Sequence, residues 1–407
     1  MCSPWDNVTV AHLAAALAVD KGNESVLVSW SFGESPDTFG HHRVAEVKYT
    51  LDGNECDVTY GVKCVGRGPG ADEFHALLFE KEYGFYEELA PAINTVLQET
   101  GQRSLRIPRC FTHARTDSYE VMVLEDLSTR GFLAANRHLG LDLSHTLLAI
   151  QELARLHAAS SLLQHRNADK PLAHTYPFVG KEWTKAFKRG DETYETFLTK
   201  YVDLGVAMLE KLGCRERDVA WLKGIRPKVW PLFLEQLETT PQFAVVCHGD
   251  SWSSNILFRY DSLDTPVEAI FVDLQQVRLA SPATDIHALL AANVPARTRL
   301  IEHSNLLYAY HMTFKDVMEA GGAKMPFTLS NLEDEFKSKA LYAILSALVF
   351  TPSAMQAGGG NLNPLSKDQS LLKMEKAEVL EMLDKDPDLR TRLLGVFEEW
   401  ANEGFMS

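Results

Sequence analysis

The sequence contains no C-x-x-C pair and no H-E-x-x-H. Its six cysteines, at positions 2, 56, 64, 110, 214 and 247, are scattered without histidines at zinc-site spacing. A transition-metal centre is therefore not implied. Six cysteines in 407 residues read as free, buried thiols of a reducing compartment rather than as a disulfide framework. Positive charge is also short: 40 Lys and Arg against 55 Asp and Glu give a formal net charge of −15. That balance argues against nucleic acid and against an anionic membrane surface as partner, and any phosphate-bearing ligand needs a locally basic site. No apolar run reaches the roughly 18 residues of a membrane helix, and Met1 to Asp6 lacks the charged and apolar regions of a secretion signal. The expectation is a cytoplasmic protein without membrane insertion. With 45% hydrophobic residues, the chain has material for one two-lobed domain, or two small ones, with a sizeable core.

The informative stretch is residues 244–258, AVVCHGDSWSSNILF. Asp250 and Asn255 stand five positions apart, the spacing of the H-R-D-x-x-x-x-N catalytic loop of kinases. In that arrangement the carboxylate accepts the proton of an attacking hydroxyl, and the Asn amide oxygen coordinates the Mg²⁺ that neutralises the phosphates. A β-prone run, Phe243 to Cys247, leads into the loop. Ile256 to Phe258 leave it, Asp261 to Pro266 form a turn-rich patch, and Ala269 to Val272 return. This is a predicted hairpin that sets Asn255 beside Asp273 at one end. Two oxygen ligands at one point suit Mg²⁺, a hard cation.

The string HGDSWSSNILF, followed by FVDLQQVRLASPATDIHALL, resembles the choline-kinase-like group of the aminoglycoside phosphotransferase superfamily, and most closely the ecdysteroid kinase-like proteins. The resemblance implies an α+β, bilobal protein-kinase-like fold. It divides the chain into an antiparallel-sheet, nucleotide-binding lobe (1–126) and a mainly helical catalytic and substrate-binding lobe (127–407). The family's D-F-Q segment is Asp273-Leu274-Gln275 here, a departure that keeps an apolar anchor beside the metal Asp. VLEDL at 123–127 is similar to the family's strand into the hinge that meets adenine, which implies Glu125, Asp126 and Leu127 there, with Asp126 exposed. The resemblance also implies that His248 braces the catalytic loop and that Asp285 anchors it. ATP and Mg²⁺ are the implied cofactors, and a small hydroxylated molecule, for instance an ecdysteroid, is the implied acceptor.

The nucleotide grip is expected in the first third. Ala45, Val47, Tyr49 and Leu51 alternate with polar residues, Asp52-Gly53-Asn54 turns the chain, and Val58 to Val65 returns, carrying Lys63. Kinases brace a strand lysine against the ATP phosphates with a helix glutamate. In EFHALLFEKEYGFYEEL, the residues Phe74, Leu78, Phe85 and Leu89 form one helical stripe, and Glu82 falls on it. A charge on an apolar stripe needs a partner, so Glu82 is assigned to Lys63 ahead of Glu80, Glu87 and Glu88. The segment Phe32 to Gly40 occupies the place of a phosphate-covering loop without the pattern G-x-G-x-x-G; Ser35 and the backbone near Thr38 are the candidate phosphate donors, and a plain surface loop is the alternative.

Further on, Ser144 is expected to cap a helix through about Leu163, with His157 a buried support. Aromatic residues of 176–240 and the glycine-rich stretch Met355 to Pro364 are expected to shape the acceptor pocket, and helices near 368–384 and 387–402 to close the domain. Only 11 residues separate Asp273 from Asp285, and no A-P-E follows, which favours a small-molecule acceptor over a protein. Two other readings stay open: a catalytically silent kinase fold, and a G-D-S esterase with Ser251 as nucleophile. The latter lacks a histidine after His311, and Ser253 stands where G-x-S-x-G needs glycine.

Overall fold

The computed structural model describes residues 4–33, 42–67, 73–355 and 376–405. Helix α1 (Val10–Lys21) precedes an antiparallel five-stranded sheet of β1 (Val26–Phe32), β2 (His42–Leu51), β3 (Asn54–Gly66), β4 (Cys110–Arg115) and β5 (Tyr119–Glu125), ordered β1-β2-β3-β5-β4. The β2–β3 connection is a two-residue turn with Asp52 at φ 51° and Gly53 at φ 76°. Positive φ at both positions matches the right-handed strand twist, which is why Asp-Gly stands there. Tyr60, Val62 and Cys64 pack with Ala45, Val47, Leu13 and Ala16 in a core under α1. The period of two then puts Thr59, Gly61 and Lys63 on the opposite face of β3.

Helix α2 (Glu73–Gly84) continues through a π-helical turn, Phe85–Leu89, into α3 (Ala90–Glu99). The Ala90 N–H reaches Phe85 O, five residues back. Pro91 follows, with no N–H and a ring that crowds the preceding turn, and a local widening is the way a helix accommodates it. Phe74, Leu78, Phe85 and Leu89 are all buried, as their spacing predicts.

Strand β6 (Phe132–Ala134) lies beyond the five-stranded sheet, and α4 (Leu143–Arg166) follows it. The α4 cap is Asp142, whose carboxylate accepts the His145 N–H, two positions before the expected Ser144. Asp142 also holds the His145 ring at 2.8 Å, an anchor that Ser144 does not have. Strands β7 (Lys188–Arg189) and β8 (Glu192–Thr193) form a small ladder. β9 (Val245–Cys247) pairs with β12 (Arg278–Ala280), while β10 (Ile256–Tyr260) pairs with β11 (Pro266–Phe271) and with β6. The rest is helical, including Tyr194–Lys211, Pro282–Asn293, Ala296–Ala320, Ala340–Met355, Lys376–Lys385 and Pro387–Asn402. An antiparallel sheet followed by a mostly helical remainder is the bilobal α+β arrangement expected. Of the described cysteines, Cys64 and Cys247 are buried, but Cys56, Cys110 and Cys214 are only half-buried.

Candidate active site

The segment 248–255 is fixed from below by one carboxylate. Asp285, in the first turn of the helix Pro282–Asn293, accepts the His248 N–H at 2.6 Å and the Gly249 N–H at 2.9 Å. His157 Nε2 donates to the same carboxylate at 3.1 Å, and its Nδ1 meets the Tyr310 hydroxyl at 2.8 Å. Burial alone would raise the Asp285 carboxyl, but His157, His248 and the Gly249 N–H together hold it below the usual range. Gly249 has φ +83°, and a Cβ there would sit 2.3 Å from Gln276 O, so only glycine makes this turn. His248 Nδ1 accepts the Asp250 N–H at 3.2 Å while Nε2 donates to Val272 O at 3.0 Å. The ring is thus neutral, in keeping with burial, which lowers its pKa.

Asp250 is 1% exposed. Its Oδ2 accepts from Asn255 Nδ2 at 2.9 Å, and its backbone oxygen accepts from the same amide at 3.0 Å. Oδ1 is buried with no hydrogen-bond partner among the described residues. Burial, reinforced by Asp273, pushes the carboxyl well above its ordinary value, against the Asn255 hydrogen bond. A buried acceptor left over in this way is costly unless a ligand donor completes it.

The predicted hairpin forms: Ile256 faces Phe271, and the Val272 N–H donates to Asn255 O at 3.0 Å, so Asn255 and Asp273 share its open end. Asp273 has φ 64° and ψ 62°, a left-handed conformation that costs a non-glycine residue on the order of 1–3 kcal/mol and recurs at functional sites. Its Oδ1 lies 2.6 Å from Lys63 Nζ, and its Oδ2 accepts from Gln275 Nε2 at 2.8 Å. Lys63 Nζ also lies 2.6 Å from Glu82 Oε2. Burial by itself lowers the lysine pKa, but Asp273 and Glu82 hold it above the usual value; burial dominates at Glu82 and raises its pKa. Asn255 spends its amide nitrogen on Asp250, which leaves its oxygen; with Asp273 it makes the pair of hard oxygen donors that Mg²⁺ takes.

Where a hinge is expected, Glu125 ends β5 and its carboxylate accepts from the Arg109 N–H and from Arg130 Nη1, both at 3.1 Å. Asp126 is not exposed: it is half-buried, taking the Thr59 hydroxyl at 2.6 Å and the Ser128 N–H at 3.0 Å. One carboxylate oxygen caps the turn Leu127–Arg130, and the other is drawn to Thr59 on β3. Leu127 packs with Phe132 and Ile270. Ser35 and Thr38 lie outside the described residues, as does the stretch 356–364.

Several neighbours escaped the sequence reading. His42 faces Lys63 across the β2–β3 ladder, and a Cβ on Gly61 would come within 2.9 Å of its Nε2. Burial and then the Lys63 charge lower its pKa to about 4, so it is neutral. The only signal was a glycine on the Lys63 face of a strand. Lys81 is fully buried, donating to the carbonyls of Phe178 at 2.6 Å and Lys181 at 2.7 Å, with burial lowering its pKa to about 7. Beside Gly249 lies a small cavity lined by Trp183, Tyr194, Phe197, Phe233, Arg278 and Tyr342 among others. The expected aromatic region supplies one wall, and the helix Ala340–Met355 the other. Ser251, the alternative nucleophile, is buried, and its hydroxyl is donated to Asp285 O at 2.9 Å rather than to a histidine.

The sequence profile of the Ecdysteroid kinase-like family matches residues 42–322. No curated protein sequence matches the chain. Solved structures with some likeness include an aminoglycoside phosphotransferase, APH(3'')-Id, from Streptomyces rimosus in complex with ADP and streptomycin. It is 15% identical, with 84% of this chain and 99% of that one covered and a TM-score of 0.34. A Haemophilus somnus protein assigned as a fructosamine-3-kinase is 11% identical, over 92% and 97% of the two chains, with a TM-score of 0.37. No helix of the described residues is long and apolar enough to cross a membrane.

Proposed function

The chain belongs to the ecdysteroid kinase-like family, and from that premise we propose that it is an ATP- and Mg²⁺-dependent kinase that phosphorylates a hydroxyl of a small molecule, such as an ecdysteroid or a related alcohol. The observation that carries this reading is the buried, unpartnered Oδ1 of Asp250, with Asn255, Asp273, Lys63 and Glu82 around it. Lys63, held by Glu82, would orient the ATP phosphates. Asn255 and Asp273 would hold Mg²⁺, whose charge offsets that of the phosphates. Asp250 Oδ1 would accept the acceptor's hydroxyl proton as its oxygen forms a bond to the γ-phosphorus and the bond to the ADP oxygen breaks in line. His248 and Asp285 position the loop from behind. The Glu125–Leu127 turn would meet the adenine, and Ser35 and Thr38 would lie over the phosphates. In this reading residues 1–126 and 127–407 are the two lobes, and the protein works in the cytoplasm.

Calorimetry of ATP binding, with and without Mg²⁺, on wild type and Asp273→Asn is the test. Metal-dependent binding that the variant loses supports the reading, as does turnover of a hydroxylated acceptor that Asp250→Ala abolishes. Failure of the folded wild type to bind Mg-ATP would put the silent-fold reading ahead.

A further inference from the structure

Gln275 has no part in the transfer reaction itself, yet it touches an aspartate on which that reaction depends. Asp273 stands at the open end of the β10–β11 hairpin and leads into a single helical turn, Leu274–Gln276. Leu274 is fully buried and anchors that turn. With Asp273 at φ 64° and ψ 62° the chain doubles back, and the side chain two positions on reaches the aspartate. Gln275 Nε2 donates to Asp273 Oδ2 at 2.8 Å, while Oδ1 lies 2.6 Å from Lys63 Nζ. The Asp273 side chain keeps 16% of its surface, so protein partners rather than bulk water set which way the carboxylate faces. An ionised carboxylate only accepts, which makes the amide nitrogen the atom that meets it. The same device recurs at the other acid of the site, where Asn255 Nδ2 donates to Asp250 Oδ2 at 2.9 Å.

We propose that Gln275 is the positioning residue of the metal site: its amide holds Asp273 Oδ2 and so presents Oδ1 to the Mg²⁺ that Asp273 and Asn255 would hold. The two partners of the carboxylate differ in what else they do. In the kinase reading, on which this inference rests, Lys63 turns to the ATP phosphates and releases Oδ1. Gln275 is neutral and lies two residues away in the chain, so it stays on Oδ2 throughout. Removing its amide frees the carboxylate to rotate once Lys63 leaves. A ligand that must be ordered on binding holds its ion more weakly, and partners of this kind are worth about 10–100-fold in metal affinity.

Full-length protein is titrated by calorimetry with Mn²⁺ in the presence of saturating ADP, and with ADP in the absence of metal. Mn²⁺ suits the same oxygen donors as Mg²⁺. Gln275→Met keeps the length of the side chain and loses the donor, whereas Gln275→Asn keeps the amide but is one methylene too short to reach Oδ2. Each should weaken Mn²⁺ binding about 10–100-fold and leave metal-free ADP binding within about twofold of wild type. Gln275 is only half-buried, so thermal melts of the unliganded variants should stay near wild type. If one variant melts early, the other decides. An equal loss of Mn²⁺ and metal-free ADP binding, the mark of a general disturbance of the site, overturns the proposal. Wild-type protein that binds Mn²⁺ with ADP, and variants that bind it equally well, overturn the proposal alone. Wild-type protein that binds no Mn²⁺ with ADP overturns the kinase reading and the proposal together.

Discussion

Lys63 and Asp273, 210 residues apart in the chain, meet at 2.6 Å, and Glu82 closes on the same ammonium from α2. One half-buried cation thus ties the five-stranded sheet, α2 and the end of the β10–β11 hairpin. Lys63→Met leaves two carboxylates facing each other, a change expected to cost about 3–5 kcal/mol. Glu82 already has a raised pKa from burial, so it takes up a proton readily in the variant. The drop in melting temperature should therefore be smaller at acid than at alkaline pH, and thermal melts across that range check it.

Asp250 carries the opposite kind of strain. Its folded pKa is raised, first by burial and then by Asp273. The stability associated with the protonated form is fully present below the ordinary carboxylate value and is lost as pH rises through the raised one. Asp250→Asn should melt above wild type at alkaline pH, with the gap closing in acid. In a turnover assay the same variant should lose about 10²–10⁴ in rate, the usual scale for a general base.

Asp285 has the reverse sign. Its pKa is held down against burial by His157, His248 and the Gly249 N–H, so its stabilisation is present above the unfolded carboxylate value and fades as pH falls through the depressed one. Asp285→Asn sets an amide N–H against one of the donors now received, with an expected cost of about 1–3 kcal/mol. Denaturant titrations at neutral and acid pH should show that cost shrinking in acid, while turnover falls and ATP binding persists.

Gly249→Ala tests the turn itself. The strained φ costs on the order of 1–3 kcal/mol, and the 2.3 Å approach to Gln276 O adds a backbone clash. Reduced melting temperature with greatly reduced turnover is expected. Wild-type stability and activity together would mean that the loop is held differently.

At the start of α4, Asp142→Ala should cost about 1 kcal/mol as the loss of a cap, and Ser144→Ala less than about 0.5. Chemical denaturation of the pair separates the two candidates for this cap.

Local physics explains what could be read early. The β2–β3 hairpin follows from alternation and an Asp-Gly turn, the α2 stripe from helical spacing, and the meeting of Asn255 with Asp273 from two strands joined by a turn. Glu82 could be singled out because a charge on an apolar stripe must find an opposite charge. The Asp142 cap was missed because Ser and Asp both suit that position, and only the contact with His145 decides between them. Asp126 was misread as exposed because its partner Thr59 lies on another strand.

Turn preference, periodicity and short spacing act between residues close in the chain, and so the main strands and helices and the spacing of Asp250 and Asn255 were legible in the amino-acid order alone. Tertiary structure alone decided that Asp273 answers Lys63, that Asp285 carries the loop from beneath, and that Arg278 ends among Trp183 and Tyr342 with a donor to spare. Those relations set the charge and hydrogen bonding of buried groups. Burial has no local signature, because it depends on which distant surfaces close over a residue.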